Sequence, residues 1–164
     1  MAWRTAGGAL GLQIEEAASL ELDRLCSDAG ELETGGVLIG RYSSDLAVAI
    51  IMEVSAPPED SHCGRAWFKR GVAGLQEMLR RKWRSGQGTH YIGEWHYHPA
   101  SIVEPSEEDL AQMRRISRSP RYQCREPIML IMGAVGRGQD RPMRAFVFPR
   151  DKDHLEFEYS RAPG

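Results

Sequence analysis

Two histidines, His96 and His98, stand two residues apart in Gly93-Glu94-Trp95-His96-Tyr97-His98-Pro99. The stretch Thr89 to His98 is β-branched and aromatic, which predicts a strand that Pro99 ends. Side chains alternate faces along a strand, so both imidazoles point to the same side. Two imidazoles converging on one face begin a zinc site, and the third ligand is expected to be a carboxylate from a neighbouring element. Asp109 is the candidate, in the first turn of a helix predicted over Ser106 to Ser117. Three such ligands leave the fourth position of a tetrahedral zinc to water, which separates a catalytic site from a closed structural one; zinc lowers the pKa of that water to about 7. A base to move its proton and a donor to stabilise an oxyanion complete the requirements. Ser106 offers a hydroxyl beside the metal. Glu33, in Leu32-Glu33-Thr34-Gly35-Gly36-Val37-Leu38-Ile39-Gly40, is a carboxylate just before a double glycine, expected to turn there and to face a cleft without backbone crowding.

Each residue also has a plainer reading. His96 and His98 could be ordinary histidines of a half-buried aromatic sheet. Pro-Ser-x-x-acid before an apolar-periodic run reads as a capping box with Ser106 as N-cap. The two readings are compatible, since a capped helix end can hold its Asp towards a metal. Spacing favours the metal: shuffling this composition yields the His-x-His…Ser-x-x-Asp pattern in roughly one chain per few thousand. Glu31 rivals Glu33 but reads as a solvated helix end. Glu94 should share the face of His96, as a supporting or surface group rather than a ligand. Cys63, preceded by His62, has no second motif to make it a nucleophile or ligand. Trp67 and Phe68 read as core or rim packing, with a substrate groove as the alternative. Arg80, Arg81 and Arg84 read as a solvated helix face.

The pattern His-x-His-Pro, with Ser eight residues after the second His and Asp three further on, resembles the signature of the JAMM (MPN+) zinc metalloprotease family. Glu-Thr-Gly-Gly-x-Leu-Ile-Gly is similar to the segment in which that family carries its catalytic Glu. The short chain looks most like the small prokaryotic JAB-domain branch, which includes stand-alone isopeptidases encoded beside ubiquitin-like conjugation enzymes in anti-phage operons. The resemblance implies that His96, His98 and Asp109 hold one Zn2+ per chain. It implies that Glu33 deprotonates the water and that Ser106 stabilises the oxyanion. It also implies an α/β fold, a mixed sheet flanked by helices in a cytidine-deaminase-like three-layer architecture. The implied activity is cleavage after the C-terminus of a ubiquitin-like modifier. The implied partners are that modifier, its conjugates, and ubiquitin-like activating and conjugating enzymes. Alternatives are processing of a sulfur-carrier protein, or a non-catalytic MPN scaffold. One residue departs from the family pattern: Tyr97 stands between the histidines where Ser is usual, and on a strand it should point away from the metal.

The elements that must position these residues are legible in outline. Ile14 to Ala29 predicts an amphipathic helix capped by Gly30. Val37 to Arg41 and Leu46 to Val54 read as strands, Ser61 to Trp67 as a loop or short strand, and Lys69 to Arg84 as a basic helix stopped at Gly86 and Gly88. Ile128 to Val135 and Ala145 to Phe148 read as strands, and Leu155 to Tyr159 as an edge strand. Residues 1–164 are read as a single domain with 1–10 mobile. Apolar residues make up 41% and charged residues 27%, ordinary for a globular chain, and the net charge of −2 argues against nucleic acid as a partner. No apolar run is long enough to span a bilayer, and no signal peptide is read, so a cytoplasmic protein without membrane contact is expected. Cys26, Cys63 and Cys124 are widely spaced and are expected to be reduced thiols. Lysine is scarce, only Lys69, Lys82 and Lys152 among 21 basic residues, which reads as base composition of the genome.

Overall fold

In the computed structural model, which describes residues 2–100, 102–124, 126–136 and 139–159, strands β7 (His90–His98) and β8 (Ile128–Gly133) are buried along nearly their whole length. That is the pattern of strands covered on both faces. Alternate residues serve two cores. Ile92, Trp95, Tyr97, Leu130, Ala145 and Val147 pack with Leu22 and Cys26 of helix α1 (Glu16–Ala29). Tyr91, Met129, Ile131 and Phe146 pack with Met113 and Ile116 of helix α3 (Glu107–Arg118). Burying each of the Leu, Ile, Val, Met and Phe side chains among them contributes about 1.5–3 kcal/mol.

The remaining elements are β1 (Ala2–Thr5), β2 (Gly11–Ile14), β3 (Thr34–Tyr42), β4 (Val48–Val54), β5 (His62–Cys63), β6 (Phe68–Lys69), α2 (Leu75–Arg84), β9 (Met143–Val147) and β10 (Leu155–Tyr159). Eight strands close in the order β1-β10-β9-β8-β7-β3-β4-β2, and β5 and β6 form a separate hairpin. Two neighbouring pairs, β2 with β4 and β7 with β8, are parallel; the others are antiparallel. The crossover between parallel β7 and β8 runs through α3, which lays that helix on the sheet face carrying His96 and His98.

The mixed α/β content matches the sequence reading, but the three-layer expectation gives way to a closed barrel. Five local expectations change as well. Within residues 1–10, Ala2–Thr5 form a strand that the sequence reading did not expect: Trp3 pairs with Leu12 on one side and Tyr159 on the other. Leu155–Tyr159 is consequently not an edge, since β1 and β9 flank it. Ile14 ends β2 rather than beginning a helix, and α1 starts after Glu15. Gly30 does close α1, at φ 62°. The basic helix begins at Leu75, because β6 takes Phe68 and Lys69; Val72 and Trp83 are exposed, while Leu75, Met78 and Leu79 lean on the α3-side core. The double glycine lies inside β3 and not in a turn. No helix among the described residues is long and apolar enough to cross a membrane, and all three cysteines are free.

Candidate active site

The antiparallel register of β3 against β7 sets Thr34 opposite Tyr97, Gly35 opposite His96 and Gly36 opposite Trp95. Glu33, one residue before this ladder, therefore arrives beside the His96–His98 end of β7. The glycines are required by the closeness of that approach. A Cβ on Gly35 would meet the Trp95 carbonyl oxygen at 2.4 Å and His96 Cδ2 at 2.9 Å; one on Gly36 would meet the Ser55 carbonyl at 2.4 Å. No larger residue fits either position without moving backbone.

His96, His98 and Asp109 converge, with one ligand atom from each lying within 4.8 Å of the others. His96 Nδ1 is 2.7 Å from Asp109 Oδ1, and His98 Nε2 is 3.6 Å from Asp109 Oδ2. His98 Nδ1 sits 3.2 Å from the Ile102 carbonyl, a donor geometry that leaves Nε2 directed at Asp109. Asp109 is also the third residue of α3 and completes a capping box whose N-cap is Ser106. The Ser106 backbone N–H and Oγ–H donate to Oδ2 at 2.8 and 2.7 Å, and Asp109 N–H donates back to Ser106 Oγ at 3.1 Å. The capping box and the ligand-like cluster thus share one carboxylate.

Burial disfavours charge throughout, but pairing overrides it at two groups. His96 is desolvated, yet the Asp109 and Glu94 carboxylates push its pKa up to about 9. Burial likewise opposes ionisation of Asp109, and His96 together with the Ser106 donors holds it down at about 2. Two imidazoles and a carboxylate, mutually close and largely removed from water, form a donor set suited to zinc. His96 Nε2 is a buried nitrogen with no hydrogen-bond partner.

A cleft of about 530 Å³ opens over these groups, lined by Glu33, Phe68, His96, His98, Ser106 and Asp109 among others. A larger cavity beside Arg114, Arg118 and Arg150 lies away from them. Glu33 borders the cleft half-buried, and among the described residues its carboxylate makes no hydrogen bond or ion pair. Burial raises it above the usual carboxylate range, with Asp109 adding to the shift and His98 and His96 opposing it. Glu31 instead pairs with Arg65 at 2.7 Å in solvent. Trp67 and Phe68, expected as packing, both line the cleft; Phe68 stands edge-on to His96 at 5.7 Å. Tyr97 points away, as expected, and its hydroxyl donates to the Gly30 carbonyl at 3.1 Å. Cys63 is exposed on the hairpin.

Sequence reasoning missed the surroundings of Glu94. That carboxylate is fully buried, not at the surface, and pairs with Arg70 and Gln112. Its place two residues before His96 was a usable signal; nothing local pointed to Arg70.

A strand-borne His-x-His pair facing a capped, helix-borne Asp across a cleft defines a candidate metal centre on a mixed barrel. Comparison with known proteins is consistent with that class. A family described as prokaryotic homologs of the JAB domain matches residues 16–148, and the chain belongs to it. A protein of Enterobacter hormaechei subsp. hoffmannii named CD-NTase/cGAS isopeptidase is 45% identical over 76% of this chain and 68% of its own length. A probable metalloprotease of Sinorhizobium fredii is 36% identical over 62% of this chain and 63% of its own. The chain therefore spans about two thirds of these relatives. The solution structure of protein DSY2949 from Desulfitobacterium hafniense shares the fold, with a TM-score of 0.59 at 20% identity over 88% of each chain.

Proposed function

We propose that this protein is a zinc-dependent isopeptidase that cleaves after the C-terminus of a ubiquitin-like modifier, in a bacterial conjugation system of the anti-phage kind. The observation that carries this reading is the convergence of His96, His98 and Asp109 in one cleft with Glu33 and Ser106 on its walls. Membership of the prokaryotic JAB family and the isopeptidase and metalloprotease names of its relatives support a metal-dependent peptidase or isopeptidase.

His96, His98 and Asp109 would hold the zinc. When bound, zinc supplies Lewis-acid polarisation of the scissile carbonyl and lowers the pKa of water. Glu33 accepts a proton from the attacking water and returns it to the leaving lysine amine; its raised pKa suits a group that must both take and give a proton. The Ser106 hydroxyl, turned from Asp109, donates to the oxygen that gains negative charge. Among the described strands, those of the β5–β6 hairpin stand outside the closed barrel, and Phe68 of β6 lines the cleft. An extended modifier tail would pair with that hairpin through backbone hydrogen bonds, beside Trp67 and Phe68.

The test is incubation of the purified protein with the ubiquitin-like protein encoded beside it, fused to a short C-terminal extension, with and without a zinc chelator. Cleavage at the modifier's C-terminus that chelator abolishes and zinc restores is the expected result. Glu33→Gln should retain zinc and fold and lose roughly 100- to 10,000-fold in rate. Chelator-insensitive cleavage, or full activity in Glu33→Gln, would overturn the assignment.

A further inference from the structure

Glu94 has no solvent exposure. A carboxylate that deep is tolerated only when paired and fully hydrogen-bonded. Arg70 donates through Nη2 to Oε1 at 2.7 Å and through Nε to Oε2 at 3.0 Å. The Gln112 amide donates to Oε2 at 2.7 Å, and the Tyr91 hydroxyl to Oε1 at 3.2 Å. Tyr91 reaches the same face only because the β3–β7 register shifts between Leu38 and Ile39, which breaks the strand's alternation between residues 91 and 94.

The side of Glu94 that carries Oε2 also faces His96. Oε2 is 3.9 Å from His96 Nε2, and that nitrogen is buried with no hydrogen-bond partner of its own. The opposite ring nitrogen, Nδ1, faces Asp109 and the cleft. An imidazole that serves a metal through one nitrogen is oriented by an acceptor at the other. We propose that Glu94, clamped by Arg70 and Gln112, is a positioning residue that retains the Nε2 proton of His96 and keeps Nδ1 directed into the metal site. The inference rests on the zinc-centre reading above.

Glu94 also fastens together the three elements around the cleft. Arg70 follows β6, whose Phe68 touches the His96 ring; Gln112 is one turn past Asp109 on α3; Glu94 itself is on β7. The ligand strand, the ligand helix and the cleft wall therefore share one buried anion.

The test titrates metal-free protein with zinc against a chromophoric chelator and reads the His96 tautomer of the zinc-loaded protein by long-range nitrogen–proton NMR correlation. Wild type should bind one zinc with the proton on His96 Nε2. Glu94→Gln should bind zinc roughly 10- to 100-fold more weakly and lose the single tautomer. The double variant Arg70→Met with Glu94→Gln removes both charges, so no unpaired buried cation hinders folding, and it should show the same loss. A purely structural role for Glu94 would lower melting temperature without moving the tautomer. Either folded variant with wild-type zinc affinity and tautomer overturns the positioning role and leaves the zinc centre standing. Wild type that binds no zinc overturns the zinc centre and this inference together.

Discussion

A single methyl group at Gly35 probes the approach of β3 to the candidate metal strand. In Gly35→Ala the new Cβ would lie 2.4 Å from the Trp95 carbonyl oxygen, 2.9 Å from His96 Cδ2 and 2.9 Å from Phe68 Cε1. The carbonyl belongs to the β3–β7 ladder and cannot retreat without separating the strands, so the His96 ring and Phe68 must yield as well. Overpacking of this kind costs roughly 1–3 kcal/mol. For a chain of this size that lowers the melting temperature by roughly 2–12 °C, at about 2–4 °C per kcal/mol. The part of the strain borne by His96 appears as weaker zinc binding, tenfold for each 1.4 kcal/mol. Gly36→Ala is the matched control. Its Cβ would meet the Ser55 carbonyl at 2.4 Å, Ser55 Oγ at 2.7 Å and Trp95 Nε1 at 2.8 Å, away from the histidines. Thermal unfolding of metal-free protein and competitive zinc titration separate the two effects. Both variants should melt lower, and only Gly35→Ala should bind zinc more weakly. Equal loss of zinc affinity in both, or no loss in Gly35→Ala, would refute the idea that this glycine makes room for the ligand ring.

Two other perturbations follow from the same geometry. Ser106→Ala removes the cap of α3 and both hydrogen bonds of the Ser106 hydroxyl to Asp109, so stability should fall by about 0.5–2 kcal/mol in a denaturant titration, while turnover falls further than zinc affinity does. The metal-stripped protein should be least stable at both ends of the pH scale. His96 is raised from 6.5 to about 9, so its contribution is complete below pH 6.5 and is lost as pH rises through 9; Asp109 is lowered from 3.8 to about 2, so its contribution is complete above pH 3.8 and is lost as pH falls through 2. Urea unfolding after chelator treatment checks this, and a flat stability between pH 6.5 and 9 would contradict it.

The spacing of His96, His98, Ser106 and Asp109 was legible because strand alternation and a helix cap are local rules. Placing Glu33 beside them needed the family resemblance, since only the β3–β7 register joins two segments so distant in sequence. Glu94 was legible as a face-sharing residue but not as a buried one: its cation arrives from the loop after β6, and no local pattern announces a pairing across that separation. The same reason hid the barrel. Ala2–Thr5 is short, and Gly7 and Gly8 follow it, so it reads as a loose end until Tyr159, Glu158 and Phe157 are placed opposite. The basic helix began late because Phe68 and Lys69 were needed to complete a hairpin; an apolar period extends through Val72 even though Val72 faces solvent.

The seam between β1 and β10, where Trp3 stands edge-on to Tyr159 at 5.3 Å, ties together segments from opposite ends of the described chain. Closing so long a loop carries more entropy cost than any other pairing in the barrel, though the cost grows only logarithmically with length. The β3–β4 hairpin and the β7–α3–β8 crossover are closed by much shorter loops, and they need no help from the seam. Assembly is therefore expected to begin around the histidine-bearing strands and to finish at the seam, with the slow kinetics of non-local β topology. After folding, the seam is also the place where the molecule can fray at least cost. Neither β1 nor β10 carries a residue of the cleft, so the seam and the His96–Asp109 pair lie on different parts of the barrel.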